Sequence, residues 1–218
     1  MRPFAYLLHA ITTILLLAPI AGAAVGGPYD QALAAWRRGE YATAYRLWLP
    51  IADEGDPDAQ FYLGYMSEYG QGAPRNSMEA IKWYRKAADQ EHAVAQFSLG
   101  MMYANGEGVP ASDTEAAQWY RLAADQGLAG AQFDLGTLYA EGRGVPQDDV
   151  LAYMWLELVA SQLAPLAKHQ RNSTIDALDL VASKMTLTQV AEARQLALEW
   201  TIERRQRAQQ RSFAMKFR

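Results

Sequence analysis

Cysteine is missing from all 218 residues of this chain. Its absence excludes a disulfide framework, a thiolate metal site and a cysteine nucleophile. Anchoring through a lipidated cysteine is excluded with them. Histidine is scarce: His9, His92 and His169 are the full set, and none belongs to a ligand motif such as H-E-x-x-H. There is no G-x-S-x-G and no glycine-rich phosphate loop. Positive charge is not in excess, since the formal net charge is -4; a nucleic-acid binder would show a broad basic face. After the first twenty residues no long apolar run recurs. What remains is ordinary for a folded protein, half hydrophobic and one fifth charged, with enough apolar content to bury a core.

The first residues read as a targeting segment. Arg2 supplies a positive start, Phe4 to Ile20 is apolar, and Ala21-Gly22-Ala23-Ala24 supplies the small residues of an A-x-A site. This layout predicts a secretory signal peptide over 1–23, cleaved after Ala23. The alternative is a retained anchor, but His9, Thr12, Thr13 and Pro19 interrupt the run, which is short beside the ~20 apolar residues of a membrane span. Charge is uneven at the other end. The last fifteen residues carry six basic side chains and no acid, leaving 14 basic against 24 acidic residues before them.

Repetition dominates the rest. Ala59-Gln60-Phe61 returns as Ala95-Gln96-Phe97 and as Ala131-Gln132-Phe133, a step of 36 residues each time. Leu63-Gly64, Gly70, Gly72, Pro74, Ala80 and Trp83 recur at the same step. Each unit reads as helix, loop, helix. Gly70, Gly106 and Gly142 fall where a helix end turns left-handed at little cost to glycine. Asn76, Ser112 and Asp148 share one register and are all strong N-caps. Glu79 and Glu115 stand three residues later and predict capping boxes. Gly64, Gly100 and Gly136 lie inside the first helices, where glycine costs ~1 kcal/mol against alanine; recurrence there implies a close approach of two helices. Such pairs cannot bury their apolar faces alone, and stacking them gives a superhelical solenoid.

These residues resemble Sel1-like repeats, relatives of the tetratricopeptide repeat with a longer loop. The shared pattern is A-x-x-x-L-G-x-x-Y-x-x-G-x-G-V-P followed by A-x-x-W-Y-x-x-A-A-x-Q-G. Residues 95–130 carry it most fully, whereas 59–94 depart at Ser67, Ala73 and Glu91, and 131–164 at Leu156, Val159 and Leu163. The resemblance implies an all-α, right-handed α/α superhelical solenoid of Sel1-like, TPR-like helix pairs that serves as an adaptor for protein partners. A shorter helix pair is expected over 24–58, with Arg38-Gly39-Glu40 as its turn. A C-terminal helical cap is expected over 165–203, its second helix opening at Thr186 with Gln189 at capping-box spacing. Residues 204–218 form the basic tail, read either as a surface for an anionic partner or membrane, with Phe213, Met215 and Phe217 interleaved, or as a solvated helix end.

Comparing units separates frame from variation. Three first-helix positions do not repeat: Tyr62, Tyr65 and Tyr69; Ser98, Met101 and Asn105; Asp134, Thr137 and Glu141. Spacing of i, i+3 and i+7 puts each set on one helix face, and in solenoids the concave face is the usual binding groove. These nine are the candidate protein-binding residues, aromatic at one end and acidic at the other; the alternative is that they drift freely. With no assembled nucleophile or base, no catalytic, metal or cofactor residue is expected. The expected function is a non-catalytic scaffold, periplasmic or secreted, for a protein or peptide, with membrane contact only through the tail. The other readings are a cell-wall hydrolase or β-lactam binder, although relatives discussed in that light are cysteine-rich.

Overall fold

The computed structural model describes residues 26–162 and 168–216. The expected signal peptide, 1–23, lies outside them. Among the described residues ten helices follow one another: α1 (Pro28–Arg37), α2 (Tyr41–Asp53), α3 (Pro57–Tyr69), α4 (Ser77–Ala88), α5 (Ala93–Asn105), α6 (Asp113–Asp125), α7 (Ala129–Glu141), α8 (Asp149–Gln162), α9 (Lys168–Ala182) and α10 (Leu187–Lys216). No strand occurs among the described residues. Short connections leave each helix no choice but to pack on its chain neighbours. Thus α3 packs on α4, α5 on α6 and α7 on α8 within units, while α4–α5 and α6–α7 join them. This is an α/α solenoid. Its core runs from Ala32 and Trp48 at one end to Val181 and Ala197 at the other.

The in-helix glycines do what their recurrence implies. A Cβ on Gly64 would lie 2.6 Å from the Tyr84 ring, and one on Gly100 would strike Tyr120. In the third unit Leu156 replaces the tyrosine, and the clearance at Gly136 is 3.1 Å. The loop glycines have a second role that only packing shows. Gly72 has φ +79°, and its missing Cβ would sit 2.5 Å from the Tyr41 carbonyl oxygen. Gly108 meets Ser77 and Gly144 meets Asp113 in the same way. Each loop therefore rests on the opening residue of the preceding unit's second helix.

The N-caps form as expected, with one correction. The side chains of Asn76, Ser112 and Asp148 accept from the N–H groups of Glu79, Glu115 and Leu151 at 3.1, 3.2 and 2.9 Å. The reciprocal half of the expected capping box has no donor left. The cap N–H of Asn76 donates instead to the Ser67 carbonyl at 2.8 Å, and those of Ser112 and Asp148 to Tyr103 and Tyr139 at 2.9 and 3.0 Å. The cap thus ties the start of the second helix to the first helix of its own unit.

Glutamines stitch the units together. Buried Gln60, Gln96 and Gln132 donate to the carbonyls of Ala52, Ala88 and Ala124 in the preceding unit at 2.9, 3.1 and 3.3 Å. Their side-chain oxygens accept from Gln90, Gln126 and Gln162, each at 2.8 Å. A buried amide left unpaired would cost ~1–3 kcal/mol, so the recurrence of Gln at both positions follows.

At the C-terminal end, Val181, Ala193 and Ala197 close the core, and Trp200 meets Trp155 edge to face at 5.9 Å. Thr186 and Gln189 form a true capping box, with bonds of 2.9 and 3.3 Å. The division between cap and basic tail is not a structural one, because α10 continues through 203 to Lys216. Arg204 stacks over Trp200 at 5.5 Å and donates to the Gln126 carbonyl at 2.8 Å. Its guanidinium fills the space that a Cβ on Gly127 would take.

Candidate functional site

The nine variable positions do not share one environment. Each triad descends from core to surface as its helix proceeds. Tyr62 is buried, its ring stacked on Trp48 at 4.3 Å and 5°. Ser98 and Asp134 are also buried. These three are therefore not surface residues, as a single exposed face would require. The reason lies in the neighbours: the rings of Tyr29, Trp36 and Trp48 cover Tyr62, and Tyr84 and Tyr120 bond to Ser98 and Asp134. Tyr65, Met101 and Thr137 are half-buried, and Tyr69, Asn105 and Glu141 are exposed.

Burial has an electrostatic consequence at Asp134. Desolvation pushes its carboxyl up to about 7, against the pull of the Tyr120 hydroxyl bond. Glu68 is displaced in the same direction, again by burial, with the Tyr84 and Tyr69 hydroxyls opposing it. Tyr84 donates to Glu68 at 2.7 Å. One tyrosine register thus serves a carboxylate in its own unit first and in the next unit second.

Tyr69, Met101 and Asn105 do come together. They line a cavity of about 150 Å³ between the first and second long units, with Glu68 and Arg75 on one side and Met102 and Glu107 on the other. The Tyr65 ring packs against that of Tyr69 at 4.6 Å, tilted by 37°. Arg75 lies 3.8 Å from Glu107, with its side chain 66% exposed, and its Nε donates to the Glu68 carbonyl at 3.0 Å. Thr137 and Glu141 are not part of this cavity; Glu141 pairs with Arg143 at 3.1 Å.

Glu68, Arg75, Met102 and Glu107 escaped sequence reasoning, which followed a single helix face. A signal for three of them was present. The 36-residue step aligns Glu68 with Ala104, Arg75 with Ala111, and Glu107 with Arg143. The frame repeats, but the charge at this interface does not.

His92 stands between these units without entering the cavity. Its Nδ1 accepts from the Ala95 N–H at 3.0 Å and caps α5, its Nε2 lies 3.1 Å from Asp58, and its ring stacks on Phe61 at 4.9 Å. Burial lowers its pKa, with Asp58 opposing. Among the described residues, no three His, Asp or Glu side chains are grouped to hold a metal ion.

Comparison with known proteins adds three findings. The Sel1 repeat family matches residues 57–92, 93–128 and 129–162, each match opening at or next to the first residue of α3, α5 or α7. Among solved structures, a Sel1 repeat protein from Oxalobacter formigenes is 27% identical with a TM-score of 0.62, covering 78% of this chain and 74% of that one. A protective antigen of uropathogenic Escherichia coli with an SLR fold is 25% identical with a TM-score of 0.51, over 83% of this chain and 49% of that one. The chitin synthase regulator SKT5 of Saccharomyces cerevisiae is 51% identical over 45 residues, which are 21% of this chain and 6% of the yeast protein. Three copies of the repeat, the helix pairs they build and the likeness to solved relatives show that this chain belongs to the Sel1-repeat family.

Proposed function

We propose that the chain is a non-catalytic scaffold of the bacterial cell envelope that holds a peptide or protein along the outer ends of its first helices. Sel1 repeats are interaction modules, and solenoids present extended surfaces built from variable positions on a fixed frame. One observation carries the reading to this surface. Tyr69, Asn105 and Glu141 occupy one register on three successive units, are all exposed, and differ in chemistry while the frame around them repeats. Tyrosine is enriched at binding hot spots, and a row running from aromatic to amide to carboxylate can fix the direction of a bound chain. The bacterial relatives and the secretory layout of residues 1–23 support the envelope as the compartment.

The test is capture of envelope proteins by the immobilised chain beside a Tyr69→Ala, Asn105→Ala, Glu141→Ala variant. These three are chosen because they are exposed; Tyr62→Ala would open the core instead. Circular dichroism checks that the variant keeps its helices. A partner held by the parent and lost by the variant supports this face. A partner held equally by both places the interface elsewhere.

A further inference from the structure

Resting on the scaffold reading, we infer that the cavity between the first two long units is a specificity pocket for one basic side chain, lysine or arginine, of the bound peptide or protein. Its size comes first. About 150 Å³ is the volume of an engineered cavity that takes up benzene, so the pocket holds one side chain rather than a whole ligand. Its walls come second. Met101 and Met102 supply a pliable apolar lining, suited to the methylene stem of a long basic residue. The partly exposed Tyr69 ring can face a cation at the mouth.

Charge decides the sign of the occupant. Carboxylates stand on both walls, Glu68 from the first unit and Glu107 from the second. The Glu68 carboxylate is met by the Tyr84 hydroxyl at 2.7 Å, a neutral donor. The resident cation is Arg75, which sits 3.8 Å from Glu107 with a largely solvent-exposed side chain. Its Nε also donates to the Glu68 backbone carbonyl at 3.0 Å, and an incoming cation displaces both contacts as Arg75 swings outward. At the next interface Glu68, Arg75 and Glu107 give way to Ala104, Ala111 and Arg143, and Asn105 to Glu141; Glu141 pairs with Arg143 there, so the equivalent spot carries no net negative charge. A basic side chain is therefore read at one position along the array, which sets the register of the bound chain.

The probes are four blocked tripeptides, acetyl-Ala-X-Ala-amide, with X as lysine, arginine, norleucine or glutamate. They are titrated to millimolar concentration into the chain labelled at its methionine methyls, with the Met101 and Met102 signals assigned by Met101→Leu and Met102→Leu. The lysine and arginine peptides should shift both methyls saturably, and norleucine and glutamate should not. Glu68→Gln with Glu107→Gln should weaken the basic peptides at least fivefold, and Arg75→Ala should strengthen them. Equal response to norleucine, preference for glutamate, or no response to any probe overturns the pocket. No native partner is needed here, so a silent pocket beside a partner lost with Tyr69, Asn105 and Glu141 refutes this inference alone.

Discussion

Asp134 makes a quantitative prediction about pH. Its carboxyl is buried against Tyr120 and is pushed up to about 7 in the folded chain, whereas an unfolded aspartate titrates near 3.9. The folded state therefore holds its proton more tightly. Stability from this group is complete below about pH 4 and is lost as pH rises through about 7. At 1.36 kcal/mol per unit, the full loss approaches about 4 kcal/mol, and about 3 kcal/mol of it falls between pH 5 and pH 8. Asp134→Asn keeps an acceptor for the Tyr120 hydroxyl and cannot ionise. Its amide leaves donors to satisfy, a cost of ~1–3 kcal/mol that does not depend on pH. Urea unfolding of parent and variant at pH 5 and pH 8 isolates the titrating part. The variant should gain on the parent by about 3 kcal/mol between the two pH values. Parallel pH profiles, or an Asp134 carboxyl carbon signal that titrates near 4, would refute the reasoning.

Other outcomes follow from packing. Gly100→Ala drives a methyl into the Tyr120 ring and should cost about 1–3 kcal/mol, whereas Gly136→Ala, with Leu156 at 3.1 Å, should cost less; thermal unfolding of the pair checks the order. Tyr62→Ala should cost about 3–5 kcal/mol by denaturant unfolding, and Tyr69→Ala only about 1, for its hydroxyl bond to Glu68, despite their common helix. Glu91 has φ +63° where the next unit has Gly127, so Glu91→Gly should raise the unfolding free energy by about 1 kcal/mol.

The repeating unit, its length and its two helices are legible in the amino-acid pattern alone. A 36-residue step, glycines at helix ends and interchangeable caps at one register are local chemistry, so they are legible wherever they recur. The same pattern also marked Gly64, Gly100 and Gly136 as close approaches, because glycine inside a helix is unfavourable unless something fills the space of its side chain. Tertiary structure decided what lies across from each position. Period alone placed Tyr62, Tyr65 and Tyr69 on one face, but burial depends on neighbours from α1 and α2, so Tyr62 went into the core and Tyr69 to the rim. Capping boxes at Glu79 and Glu115 were the local expectation; the cap N–H groups found carbonyls on the preceding helix instead. The basic tail looked separable by composition, yet α10 runs through it and Arg204 reaches back 78 residues to Gln126. The cavity was hidden for the same reason. Its walls come from two units, and a helix face read along one chain segment cannot show what the next unit brings against it.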